Sequence, residues 1–324
     1  CALPISASGR RAGRGEGRPR RAGVLADPRD VARALGLPPG SEPVCEPLGE
    51  APGAPERWSG GGRALIARRP LPEEAAHNHA AVFEALTRAG FPHMPRLLGF
   101  SGLATLEEEV PGLTALQVEP PPGAAAAAVG ALAALHTLPL REGLGWETPP
   151  AKLLPEAPPP LYRLGFAAQE REAAAPGFAA ARDALLAGPF GFAHRAATAA
   201  NILLAPGWAW LVNFGAAGFG PQLFDVAAFL LTSGLDAPAR RALAMEYARL
   251  RGLEPEATAD LVDLAGIAWG VEELLGLPRR QVEALGDDVA LAALHLAAVR
   301  IERGMREPAG DAPAAAAIRR ALWG

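Results

Sequence analysis

Phe192-Ala193-His194-Arg195-Ala196-Ala197-Thr198-Ala199-Ala200-Asn201-Ile202-Leu203-Leu204 decides the fold of this chain, together with Val212-Asn213-Phe214-Gly215 and Gly218-Phe219-Gly220-Pro221-Gln222-Leu223-Phe224-Asp225-Val226-Ala227 that follow it. Short apolar runs alternate with loops, which predicts brief strands around a polar turn. The chain has only three Asn (Asn78, Asn201, Asn213), and two of them fall here. No Asp or Glu occurs from His194 to Phe224, and Asp225 is the first acid after that gap.

Outward from this region the chain changes character. Before it, Asp27-Pro28 with Val31, Leu35 and Gly36 predicts a short capped helix. Pro43–Leu48, the Arg57-Trp58 region, Arg63–Arg69, Leu97–Gly102 and Ala104–Val110 are strand-like pieces. Between them, 73–89 has helical spacing, with Ala76, Ala80, Phe83 and Leu86 on one side. After Gly112 helices dominate: 124–138, 161–186, 237–251, 255–276, 278–303 and 311–323. The expectation is an α+β protein with a small β-rich N-terminal lobe and a larger helical C-terminal lobe. Residues 1–23, with six Arg among Gly and Pro from Gly9 to Gly23 and no initiator Met, are expected to be an artefactual or disordered leader.

At 324 residues the chain can bury a sizeable core. Half its residues are hydrophobic and a fifth are charged, which excludes general disorder. A net charge of −4 gives no global pull toward nucleic acid or an anionic membrane. One Lys stands against 30 Arg, a bias of GC-rich coding that leaves single Ala or Arg residues uninformative and makes a rare Asn stand out. Cys1 and Cys45 cannot form a disulfide framework or a zinc site, and Cys45 is expected to be a buried apolar residue. No apolar run has the ~20 residues of a membrane helix. The expected setting is a reducing cytoplasm; the oligomeric state is not legible.

The spacing His194…Asn201…Asn213…Asp225 resembles the aminoglycoside phosphotransferase family, a small-molecule branch of the protein-kinase-like fold, whose motifs run HGDxxxxN, then IDW or IDFG, then GDPxxDLA. Four further segments are similar in the same order: Leu65-Ile66-Ala67-Arg68-Arg69-Pro70, Ala89-Gly90-Phe91-Pro92 through Pro95-Arg96-Leu97-Leu98, the hinge-like Glu108-Glu109-Val110-Pro111-Gly112, and Leu132-Ala133-Ala134-Leu135-His136. The resemblance spans roughly residues 40–300. It implies a bilobal kinase-like fold: an N-lobe with hinge at 24–112, a C-lobe at 113–324, and a catalytic-loop region at 190–227.

The resemblance also implies a chemistry. Phosphoryl transfer needs a held triphosphate, divalent cations and a carboxylate at the attacking hydroxyl. The family's base position is Ala196 here. Asn201 matches the metal-binding Asn, but Asn213 stands where a metal-binding Asp is usual, so two neutral amides replace a charged site. Ala216 and Pro221 also stand where Asp is common. His194 is expected to pack and orient the loop, and Asp225 to accept from its backbone N–H groups. His136 is expected at a helix end or in the core.

On the nucleotide side, Arg68 supplies a cation, while the matching helix position is His79, not an acid. The turn Gly49–Pro55 holds two prolines and Glu50 where phosphates would need N–H donors. The hinge Glu107, Glu108, Glu109 and Val110 is expected to offer backbone groups to an adenine and otherwise to form an exposed acidic run. The cofactor implied is ATP or GTP, with Mg²⁺ poorly provided for. The expectation is a pseudokinase that has lost its phosphoryl-transfer acids and keeps a place for a nucleotide or small ligand. The alternatives are an active ATP-dependent phosphotransferase with an atypical site, and a non-enzymatic scaffold. Glu246, Asp260, Asp263, Glu272 and Glu273 could greet a cationic acceptor, although a helical surface normally carries such charges.

Overall fold

The structure is a computed structural model; it describes residues 25–48, 54–70, 72–118, 120–140, 144–147, 159–284 and 287–324. The leader and Gly49–Gly53 of the proline-containing turn lie outside the described residues.

The small lobe is a five-stranded antiparallel sheet in the order β1-β2-β3-β5-β4, with β1 Val44–Pro47, β2 Glu56–Gly60, β3 Arg63–Arg68, β4 Leu97–Ser101 and β5 Ala104–Glu108. Alternation along β3 buries Leu65 and Ala67, and these meet Trp58 and Leu106 under the first helix, Pro28–Leu35. That helix has the expected Asp27 cap, with its side chain accepting from Arg29 N, and stops at Gly36 with φ 69°. Cys45 lies on the edge strand and is half-buried, not buried as expected, because β1 has a neighbour on one side only. The helix Glu73–Arg88 follows β3. Its apolar face, Val82, Phe83 and Leu86, belongs to the core of the large lobe, so this helix joins the two lobes through one hydrophobic cluster.

The large lobe adds the short strands β6 Leu113–Thr114, β7 Trp146–Glu147, β8 Phe190–Ala193, β9 Ile202–Ala205 and β10 Trp208–Leu211, and its helix Pro122–His136 packs against the β9–β10 hairpin and the helix Ala237–Leu250. The helix Leu223–Thr232 is apolar nearly all round and is accordingly buried. It sits on two long helices, Pro255–Glu283 and Asp288–Arg306. A separate cluster of Leu161, Phe178, Leu264, Ile301, Met305 and Ile318 closes the far side.

The expected break before Pro278 is absent: one helix runs from Pro255 to Glu283. A helical proline removes one N–H and frees a carbonyl in the preceding turn. The carbonyl so freed is that of Leu274; one residue before it, Glu273 accepts from the Arg280 guanidinium through its backbone O and its carboxylate, which ties the turn before Pro278 to the turn after it. The expected helix at 161–186 instead divides into a single turn, Leu161–Leu164, and the helix Ala168–Leu186, separated at Gly165 with φ 87°. Among the described residues no helix is long and apolar enough to cross a membrane.

Candidate functional site

Strand β8, Phe190–Ala193, delivers His194 into the interior and the loop turns sharply at Arg195, whose φ is 59°. A non-glycine residue in this conformation costs about 1–2 kcal/mol and needs a compensating partner. Asp225 supplies it. One oxygen accepts from Arg195 N at 2.7 Å and the other from His194 N at 2.6 Å. Asp225 is 1% exposed, on the first turn of its helix, so its negative charge also meets the positive helix end. The carboxylate thus holds the loop's backbone and has little capacity left for a ligand.

A buried chain of polar groups stands behind it. His136 Nε2 donates to Asp225 at 3.0 Å, and His136 Nδ1 accepts from the Tyr247 hydroxyl at 2.8 Å. Arg251 donates to that hydroxyl and to Gln222, whose amide donates to the carbonyls of His136 and Phe192. Burial drives the His136 ring below its ordinary value of 6.5, against the pull of Asp225. It also pushes the Tyr247 phenol upward. His194 is fully buried against Phe214; its Nε2 donates to Val212 O at 3.0 Å and its Nδ1 accepts from Ala196 N. Its ring is likewise held below 6.5 by burial.

Asn201 and Asn213 are brought together by the hairpin. The register Ile202↔Leu211 is extended by the bond from Val212 N to Asn201 O, which sets the two amides side by side across its open end. Asn213 adopts φ 67°, a left-handed conformation that Asn tolerates well. Its amide donates to Asn201 Oδ1 at 3.3 Å, and Asn201 donates to Ala196 O at 2.8 Å. Ala196 itself is half-buried and presents a methyl group.

The sequence missed what the joining helix contributes. Asn78 donates to the carbonyls of Phe214, Gly215 and Ala217, clamping the turn after Asn213. Its rarity was the one available signal: all three Asn serve this region. Next to it, His79 is fully buried, its Nδ1 accepts from Phe214 N at 3.0 Å, and Nε2 reaches Glu107 at 3.2 Å.

Arg68 and Glu107 differ from expectation. The carboxylate facing Arg68 comes from the neighbouring strand: Glu107 lies 3.3 Å from the guanidinium and is 1% exposed. It is therefore a buried partner, not part of an exposed run, because the strand's alternation points it inward beside Thr105 and His79. Burial opposes its ionisation, yet Arg68, His79 and Thr105 together hold its carboxyl below the ordinary 4.5. Arg68 is correspondingly engaged inside the lobe. Glu107 and Glu108 also sit in the β3–β5 ladder, and Glu108 N donates to Arg96 O. Only Glu109 and Val110 of the expected hinge lie beyond that ladder, and the Glu109 side chain forms a two-pronged ion pair with Arg57.

The acids of the helical stretch are mostly taken. Glu246 pairs with Arg249, Asp260 with Arg241, Asp263 with Arg319 and Glu273 with Arg280. Among the described residues no three His, Cys, Asp or Glu side chains come together as a metal site.

Comparison with known proteins places this arrangement. The sequence model of the phosphotransferase enzyme family matches residues 56–261, more than half of the chain. The chain belongs to the phosphotransferase enzyme family. Solved structures share its bilobal kinase-like architecture at low identity. A choline/ethanolamine kinase family protein from Mesorhizobium loti matches with a TM-score of 0.55 at 19% identity, covering 90% of this chain and 98% of that one. An aminoglycoside phosphotransferase from Alicyclobacillus acidocaldarius matches at 0.53 and 18%, covering 84% and 91%. A thermostable aminoglycoside phosphotransferase mutant with an Asp-to-Ala substitution, in ternary complex with ADP and hygromycin B, matches at 0.50 and 17%, covering 88% and 99%. No curated protein matches the sequence. Within the family frame, the loop at 194–201 is the candidate catalytic loop of this phosphotransferase-family protein.

Proposed function

We propose that this member of the phosphotransferase enzyme family is a pseudokinase: it keeps the framework of the site and a place for a nucleotide or small ligand, without useful phosphoryl transfer. One observation carries the reading. The amides of Asn213, Asn201 and the carbonyl of Ala196 are bonded to one another in series, where phosphoryl transfer would need a base and charged metal ligands. Mg²⁺ takes hard oxygen ligands, usually with carboxylates among them. It would meet two neutral amides here, one oxygen of which already accepts a hydrogen bond. The residues present do not fit that ion.

The magnitude favours the same reading. A positioned general base contributes typically ~10²–10⁴-fold, and electrostatic stabilisation of the transferring group contributes at least as much. Ligand retention is supported by the intact bracing of the loop, and by the Asp-to-Ala relative that holds ADP and hygromycin B together.

Purified protein incubated with ATP or GTP, with and without Mg²⁺, is expected to show no turnover above background, while nucleotide raises the unfolding temperature. Metal-dependent turnover abolished by Asn201→Ala would overturn the proposal. The paired change Ala196→Asp with Asn213→Asp is expected to introduce measurable turnover, since the backbone that would hold both carboxylates is already in place.

A further inference from the structure

A cavity of about 360 Å³ opens beside the candidate catalytic loop, between the helices Pro255–Glu283 and Asp288–Arg306. Thr198 and Ala200 of the loop form one wall, Trp269 another, and Ala293 and Ala297 leave the floor wide because their side chains are short. The wall is otherwise almost entirely hydrocarbon. That size falls in the range of small-molecule sites, which combine apolar lining with a few placed polar groups.

Its charged lining residues are Glu273 and Arg280, and they pair with each other. Glu273 is thus unavailable to a cationic ligand. An ammonium group brought against this wall would lose water without gaining a carboxylate, and burying an unpaired charge is costly. An anion would gain Arg280 but face Glu273. The other polar side chains of the lining are Thr198 and Thr232, and the Thr232 hydroxyl already donates to Ala228 O and accepts from Ala199 N, so the wall offers a ligand little beyond hydrocarbon.

We infer that this cavity binds an uncharged, largely hydrocarbon small molecule, matched to an apolar wall whose two charged side chains neutralise each other. This deepens the ligand-binding half of the pseudokinase reading and rests on it. It also opposes the expectation of a cationic acceptor, since four of the five acids that would receive one are tied to Arg.

The test uses one skeleton in three charge states: 2-naphthol, 2-naphthoate and 2-naphthylmethylamine, titrated calorimetrically at neutral pH into the full chain. 2-Naphthol is expected to bind one to one, at least about tenfold more tightly than either charged analogue. Ala297→Phe, which fills the floor, is expected to weaken it at least about tenfold without lowering the unfolding temperature; Ala293→Leu serves if that variant does not fold. Binding of the amine as tight as the alcohol, undiminished binding to the filled variant, or no binding of 2-naphthol would each overturn the inference. ATP consumption is followed in the same samples. Phosphate transfer to bound 2-naphthol would overturn the pseudokinase reading while confirming the cavity, and absent binding beside a preserved nucleotide-induced shift would overturn the cavity alone.

Discussion

Asn78 shows how much one side chain can organise. Its amide faces three backbone carbonyls of the turn at 214–217, and nothing but a donor suits that position. Asn78→Ala is expected to cost about 1–2 kcal/mol in urea unfolding, the price of carbonyls left without a partner. Asn78→Asp is expected to cost more than Asn78→Ala, although it is nearly isosteric, because a carboxylate would add acceptors to acceptors. Equal stability of the two variants would disprove the clamp. Asp225 was legible through the resemblance to the family's motifs, which place it at a fixed offset from His194. His136 was placed correctly at a helix end in the core, but its partners, like those of Asn78 and Glu107, were not legible. Their partners lie far along the chain, 136 residues from Asn78 to Phe214 and 89 from His136 to Asp225, and local pattern carries no trace of such pairings.

Elements were easier to read than their junctions. Alternation gave the strands to within a residue or two, and the Asp27 cap and Gly36 stop placed the first helix. The helix over Pro278 was hidden because local propensity reads a proline as a stop and does not register the tie from Arg280 to Glu273 across it. The junction after the hinge is the most demanding. Gly112 has φ 144°, and a Cβ there would come within 2.8 Å of Leu204 O on β9. The clash is with backbone in the hairpin that carries Asn201, so it cannot be relieved by a side-chain rotation. Gly112→Ala is expected to destabilise the protein by about 2–4 kcal/mol, combining strained φ with forced displacement of β9. A cost within 0.5 kcal/mol of wild type in chemical denaturation would show that the hairpin yields freely.

At the scale of the molecule, the lobes share one core through the helix Glu73–Arg88, and buried imidazoles line that shared region. His136 and His194 are held below 6.5 by burial, and half-buried His93 is shifted the same way. Unfolding exposes these rings, so below pH 6.5 the unfolded chain binds more protons than the folded one. Stability is therefore greatest above pH 6.5 and falls as pH drops toward the lowered folded values. The slope is expected to reach about 1.4 kcal/mol per pH unit for each of His136 and His194. Glu107, held below 4.5, removes further stability in the more acid range. Urea midpoints measured from pH 7.5 to 5 test the sign: a midpoint that is flat or rises with acid would refute it. The two-lobe plan was legible in the switch from strand-like to helical spacing near Gly112. The shared core was not, because a helix with one apolar stripe does not announce which lobe will cover it.

The grip of Asp225 on the loop amides has a kinetic signature. Loop amides normally trade hydrogen for deuterium within seconds to minutes, since water reaches them by small local openings. Those of His194 and Arg195 end on a buried carboxylate that is itself tethered to His136, so neither can open without disturbing three elements at once. Their isotope exchange should be as slow as that of the central strands, making two loop residues reporters of whole-lobe unfolding.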